Sequence, residues 1–153
     1  MIAGYFDPAR DTPWPIVPTA VSVDAMSRRP ATVKFVLDTG AMRTCLHPID
    51  ARALGFTPAQ LAAPGLSART IPLSGVGGGF DYFVVEARLG LLHRDEGRWR
   101  IIDTQLLIAP LRPETQSLPS LLGWDVLQYF RIDLDWAERR VALHERLGPG
   151  PDS

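Results

Sequence analysis

Short runs of apolar and β-branched residues, separated by turn-forming segments, dominate the hydrophobic pattern of the chain. Runs of this length and composition predict β-strands, and they cover residues 17–24, 32–37, 68–73, 80–92, 98–108, 131–135 and 140–145. The glycine-rich segment GVGGG at residues 75–79 joins two of these runs and predicts a long hairpin. Many short strands of this kind predict a mostly-β barrel or sandwich.

One or two short helices interrupt the strand pattern. Pro48 suits the first position of a helix, and Gly55 suits the position just after its end. A second apolar segment, residues 124–129, follows directly on Gly123. The predicted fold class is therefore mostly β, a single lobe with one or two short helices.

The length of the chain, 153 residues, is that of one domain. Hydrophobic residues make up 46% and charged residues 22%, which is typical of a globular protein with a substantial core. Residues 1–13 contain prolines at positions 8 and 13, and we predict an N-terminal arm there. The predicted domain covers residues 14–147, and residues 148–153 are predicted to be a disordered tail.

Charge and cysteine content exclude several classes of function. The net charge of −1 predicts no binding to nucleic acid or to a membrane surface. A single cysteine, Cys45, forms no internal disulfide and no cysteine-based zinc site. The three histidines have no metal-ligand spacing, so we predict no metal and no cofactor. The first residues lack the pattern of a secretory signal, and the predicted location is cytoplasmic.

The segment FVLDTGA, residues 35–41, contains Asp38, the carboxylate that most strongly suggests a function. A predicted buried strand leads directly into Asp38, Thr39 and Gly40, which form a tight turn. Burying an unpaired charge costs free energy, so a carboxylate in this place is expected to have a hydrogen-bond or ion-pair partner, or a role in function. Asp and Gly are also ordinary turn residues, and a structural turn is the alternative for this motif on its own.

A second segment, residues 119–127 (PSLLGWDVL), gives the motif its context. It places two bulky apolar residues before Gly123, and the glycine-rich hairpin lies between it and Asp38. The Asp38 motif, the glycine-rich hairpin and this segment, in this order along the chain, resemble the motifs of the retropepsin-like (retroviral-type) aspartic peptidases. That family combines an apolar-apolar-Asp-Thr-Gly-Ala motif, a glycine-rich flap and an apolar-apolar-Gly segment followed by Asp or Asn. The resemblance covers about residues 15 to 145.

The resemblance implies a closed acid-protease β-barrel that functions as a twofold dimer. Aspartic peptidases need two carboxylates, and this chain carries one Asp-Thr-Gly motif. The second carboxylate would therefore be Asp38 of a second copy, which makes a homodimer the expected active form. The expected substrates are peptides or proteins, and the expected reaction is hydrolysis of a peptide bond by a water held between the two carboxylates.

The resemblance also implies roles for individual residues. The catalytic loop would comprise Asp38, Thr39, which would hydrogen-bond across the twofold axis, and Gly40. Ala41 would contact the substrate, and its lack of a hydroxyl predicts a mildly acidic optimum, about pH 4–6.5. The remaining residues would either bind substrate from the flap (Gly75, Val76, Gly77, Gly78) or support the catalytic turn (Leu122, Gly123, Asp125).

The sequence leaves two alternatives to an aspartic peptidase. The same cleft in a dimer could bind an extended peptide without cleaving it, as a non-catalytic binding module. A different hydrolase could use Cys45 as its nucleophile with His47 as its base. Cys45 is more typical of a small buried hydrophobic residue in a strand, and His47 of a turn or helix-cap residue.

Overall fold

The structure, a computed structural model, describes residues 1–9, 11–26, 29–63, 65, 69–75 and 78–146. The strands of this part of the chain are β1 (Ile2–Ala3), β2 (Tyr5–Phe6), β3 (Pro15–Val23), β4 (Ala31–Leu37), β5 (Cys45–Leu46), β6 (Thr70–Gly75), β7 (Gly78–His93), β8 (Arg98–Ile108), β9 (Leu121–Leu122), β10 (Phe130–Asp135) and β11 (Arg140–Glu145). The helices are α1 (Pro48–Ala53), α2 (Pro58–Ala62) and α3 (Trp124–Leu127). None of these helices has the length and apolar character needed to cross a membrane.

Six strands close into a barrel. Strand β3 is hydrogen-bonded to both β4 and β7, and the circuit continues from β7 through β8, β5 and β9 back to β4. Strand β4 shows why the barrel has an apolar interior: Val33, Phe35 and Leu37 are buried and alternate with the more exposed Thr32 and Lys34. The predicted mostly-β, closed barrel is confirmed.

The sheet extends beyond the barrel at two places. Strand β1 lies between β11 and β7, and β10 completes this side as the partner of β11. Strand β2 pairs with β3 at the other end of the sheet. Residues 2–6, for which the sequence predicts an arm, thus include two short strands that pair within the same chain. The predicted tail, residues 148–153, lies outside the described residues.

The helices follow local sequence signals. Helix α1 begins at Pro48, and Gly55 follows its end with a φ of 105°, a conformation that favours glycine. Helix α3 follows Gly123, as predicted. Helix α2 is a third helix, beyond the one or two predicted, and it begins at a capping box formed by Thr57 and Gln60.

The predicted hairpin is confirmed and consists of β6 and the first part of β7. The two strands pair from Thr70 opposite Phe83 to Gly75 opposite Gly78. Gly78 has a φ of 103°, which a residue with a side chain rarely adopts. Val76 and Gly77 lie outside the described residues. The rest of β7 pairs with β8 and β3, so the hairpin is a direct extension of the barrel wall.

Candidate active site

Asp38 follows the last residue of β4 and starts a tight turn. The turn is held by its own backbone: the Ala41 N–H donates to the Asp38 carbonyl at 3.2 Å. The Gly40 N–H donates to Oδ1 of the Asp38 carboxylate at 2.8 Å. A Cβ at Gly40 would lie 3.2 Å from that oxygen, so a side chain would crowd the carboxylate. Asp38 is half-buried, so its carboxylate is accessible, while the Gly40 N–H keeps it oriented.

Strand β9 supports this turn from beside it. Because β9 runs parallel to β4, the Asp38 N–H donates to the Leu122 carbonyl at 3.1 Å. Trp124 joins the two segments again, since its indole Nε1–H donates to the Thr39 carbonyl at 2.6 Å. Its backbone N–H donates to the Ala41 carbonyl at 2.9 Å. Three residues of the turn, Asp38, Thr39 and Ala41, are therefore hydrogen-bonded to residues 122–124.

Asp125 connects α3 to the chain just after the Asp38 turn. Its carboxylate accepts hydrogen bonds from the Thr44 N–H, at 2.9 and 3.0 Å, and from the Thr44 hydroxyl at 2.7 Å. The Thr44 hydroxyl oxygen in turn accepts from the Gly123 N–H at 3.0 Å. Bonds to an ionised carboxylate are among the stronger hydrogen bonds in proteins, so this network fixes the two segments against each other.

A cavity of about 660 Å³ lies between the Asp38 turn and the β6–β7 hairpin. The turn contributes Asp38, Gly40 and Ala41, and the hairpin contributes Gly75 and Gly78. Five of the residues predicted from the sequence to act in catalysis or substrate binding therefore line one cavity. Thr39 is exposed beside it. Leu122 and Gly123 contact the backbone of the turn, and the Asp125 N–H donates to the Met42 carbonyl just after it.

The rest of the cavity wall was not predicted. It is mostly apolar, with contributions from Trp14, Leu73, Phe80, Leu118 and Leu121. It also includes Met42, Arg43, Tyr82 and His47. Residues from five separate parts of the chain meet here, and no local sequence signal connects them.

Cys45 and His47 line the cavity but do not form a nucleophile and base. Burial raises the pKa of the Cys45 thiol to about 12, so the thiol stays protonated at neutral pH. His47 Nε2 lies 3.1 Å from the Tyr82 hydroxyl, within hydrogen-bond distance. Burial also raises the pKa of Tyr82 to about 12. These features contradict the alternative of a cysteine hydrolase and agree with Cys45 as a buried strand residue.

His47 predicts a loss of stability in mild acid. Burial lowers its pKa below 6.5, against smaller opposing effects from the Pro119 backbone and the Asp50 carboxylate. Between that lowered pKa and 6.5 the unfolded chain binds a proton that the folded chain does not, so acidification favours unfolding. We expect the free energy of unfolding to fall as the pH decreases below 6.5, with a shallower fall in His47→Gln. Denaturant unfolding between pH 4.5 and 7.5 measures both slopes, and equal slopes would contradict this role.

Away from the cavity, His93, Asp95 and Glu96 bring three possible metal-ligand atoms within 4.8 Å of one another. The acidic groups already have cationic partners, because Glu96 is paired with Arg98 and Asp95 with the amino group of Met1. This cluster at the β7–β8 turn is therefore explained by ion pairs.

No model of a known protein family matches the sequence, and no curated protein is similar to it in sequence. Solved structures are similar in fold. The retropepsin-like aspartic protease from Rickettsia conorii is 18% identical, with a TM-score of 0.49, over 94% of this chain and 88% of that one. The EIAV protease, solved with the inhibitor HBY-793, is 21% identical, with a TM-score of 0.45, over 80% of this chain and 90% of that one.

The retroviral protease-like domain of Ddi1 from Leishmania major is a third similar structure. It is 12% identical, with a TM-score of 0.37, over 90% of this chain and 98% of that domain.

Proposed function

We propose that this protein is an aspartic endopeptidase that acts as a homodimer, with Asp38 of each copy forming the catalytic pair. One observation supports this most directly: the Asp38 carboxylate is oriented by the Gly40 N–H at the edge of a large, mostly apolar cavity. A volume of about 660 Å³ is within the range of sites that bind drug-sized ligands.

The need for a second copy follows from the carboxylates available. Among the described residues that line the cavity, Asp38 carries the only carboxylate. Activation of water and protonation of the leaving group require both a base and an acid. Two carboxylates about 3 Å apart share one proton because both cannot be ionised at once, and a symmetric pair thus supplies both groups.

In the proposed reaction the ionised carboxylate removes a proton from a bound water, whose oxygen attacks the carbonyl carbon of the peptide bond. The protonated carboxyl donates its proton to the carbonyl oxygen, which gives a neutral tetrahedral diol. The C–N bond then breaks: the nitrogen receives a proton from one carboxyl, and a diol hydroxyl returns its proton to the other carboxylate. The original state, with one shared proton, is restored.

The β6–β7 hairpin is proposed to close over the substrate. Gly75 and Gly78 line the cavity opposite Asp38, and backbone without side chains allows a close approach to an extended peptide. Val76 and Gly77 are proposed to take part in the same contact. Closure of such a hairpin would exclude bulk water from the reacting bond. The cytoplasmic location remains a prediction from the sequence.

Cleavage of a peptide library, read by mass spectrometry between pH 4 and 7, tests the proposal. We expect cleavage at internal bonds that a statine-type inhibitor, a mimic of the tetrahedral diol, abolishes. Thiol alkylation should leave the activity intact, because Cys45 is buried. Binding of library peptides without cleavage, by a chain verified to be dimeric, would instead indicate the non-catalytic binding module.

A catalytic pair shared between two copies predicts that activity per mole of chain depends on protein concentration. If the dimer dissociates on dilution, activity per mole of chain falls, since a single copy has one carboxylate. We expect specific activity to decrease on dilution, in parallel with the dimer fraction measured by analytical ultracentrifugation. Full activity in samples that contain monomer alone would contradict the shared pair.

A further inference from the structure

The charges that line the cavity are few. Arg43 is the only Lys or Arg among the described lining residues, and Asp38 is the only carboxylate. The other titratable side chains, Cys45, Tyr82 and His47, are uncharged at neutral pH because burial disfavours their charged forms. A ligand in this cavity therefore meets one permanent positive charge on a mostly apolar wall.

Arg43 is held in place but keeps hydrogen-bonding capacity. Its Nη2 donates to the Gln105 carbonyl at 3.0 Å, and its Nε lies 3.7 Å from Oδ2 of Asp125. No residue in the described part of the chain accepts a hydrogen bond from Nη1. The side chain is 31% exposed and lines the cavity, where a ligand can contact it. An anchored guanidinium with free N–H groups is a suitable partner for a carboxylate.

Asp125 forms an ion pair with Arg43 but no hydrogen bond. Its carboxylate already accepts the hydrogen bonds from Thr44, and its distance to Arg43 exceeds that of a hydrogen bond. The Asp125 side chain is also 16% exposed, about half as accessible as that of Arg43. Arg43 and Asp125 thus form an ion pair without a hydrogen bond, and the guanidinium N–H groups that Gln105 does not accept from are available to an incoming anion.

We propose that Arg43 is a specificity-determining residue, which selects peptides with an Asp or Glu side chain placed to reach its guanidinium. The inference rests on the proposed peptidase function and names the substrate class of the same cavity. Negative charge next to the scissile bond would be repelled by the Asp38 pair. The preferred acidic residue therefore lies away from that bond, at the position that reaches Arg43.

Matched peptides that differ by Glu against Gln test this proposal without changing side-chain size. One Glu or Gln is moved through the four positions on either side of a cleaved bond, and kcat/KM is measured for each peptide. We expect a Glu preference of about tenfold at one position, as for one partly exposed charge-assisted contact. In Arg43→Gln we expect this ratio to fall to about one, and in Arg43→Lys to recover in part.

The control variant is Arg94→Gln, which removes the same charge at the exposed β7–β8 turn, outside the lining residues. It should keep the Glu preference if a contact with Arg43 is the cause. Cleavage without a Glu preference, or with an equal preference in Arg43→Gln, would overturn the role of Arg43 and leave the peptidase intact.

Absence of any cleavage would overturn the peptidase instead. In that case calorimetric binding of the same Glu and Gln peptides to the wild-type chain decides the role of Arg43. Tighter binding of one Glu peptide, lost in Arg43→Gln, supports the role. Equal binding of the two peptides, or no binding, overturns it.

Discussion

Replacing Asp38 with Asn is expected to abolish peptide cleavage. An amide can neither remove a proton from water nor supply one to the leaving nitrogen, and in a homodimer the substitution removes both the base and the acid. Each such group typically accelerates a reaction 10²–10⁴-fold, so we expect kcat/KM to fall on the order of 10⁴-fold. Cleavage of the best library peptide by wild type and Asp38→Asn, at equal dimer concentration, measures the loss.

The fold should be unchanged in Asp38→Asn, so a loss of cleavage can be attributed to the loss of the carboxylate. The Asn side-chain oxygen can accept the Gly40 N–H in place of Oδ1, and the backbone bond to Leu122 is unaffected. Peptide binding to Asp38→Asn should therefore persist while turnover disappears. Wild-type rates of cleavage in the variant would show that Asp38 is not the reacting group.

Substituting Gly123 by Ala is expected to disrupt the support of the Asp38 turn. A Cβ at this position would lie 2.6 Å from the Arg43 carbonyl carbon, 2.7 Å from its oxygen and 2.9 Å from the Ala41 oxygen. These are backbone atoms, so relief of the clash requires the two segments to separate. We expect a loss of about 3 kcal/mol in stability, measured by urea unfolding, together with a large loss of activity.

Gly75→Ala is the matched control for this change. A Cβ at Gly75 meets no atom of the described residues within 4 Å, so the stability of Gly75→Ala should stay within about 0.5 kcal/mol of wild type. A Gly123→Ala protein as stable as Gly75→Ala would mean that the contact between residues 41–43 and Gly123 does not hold the turn in place.

Much of the fold could be predicted because local patterns and tertiary packing agree. The alternation of Val33, Phe35 and Leu37 with polar residues fits a strand with one buried face, and β8 has the predicted bounds. Helix α2 also has a sequence signal, the spacing of Thr57 and Gln60 in a capping box. It is only five residues long, and the strand-rich pattern around it outweighs so short a signal.

The wall of the cavity could not be predicted in the same way. Arg43 lies in the bend after the Asp38 motif, but the carbonyl that holds its guanidinium belongs to Gln105, on β8. His47 and Tyr82 meet because α1 begins beside the base of the hairpin, which depends on barrel closure. Motifs of adjacent residues identify Asp38 and its turn, whereas contacts between distant residues require the three-dimensional structure.

The link between Thr44 and Asp125 has a consequence for the order in which the molecule is assembled. These residues are 81 positions apart, so the Asp38 turn gains its support only when a long segment of chain has been brought back on itself. Closing such a loop costs conformational entropy, and contacts of this sequence separation slow folding. During synthesis the turn can therefore form its supporting contacts only after most of the chain has been made. Shorter, incomplete chains contain Asp38 without a formed cleft.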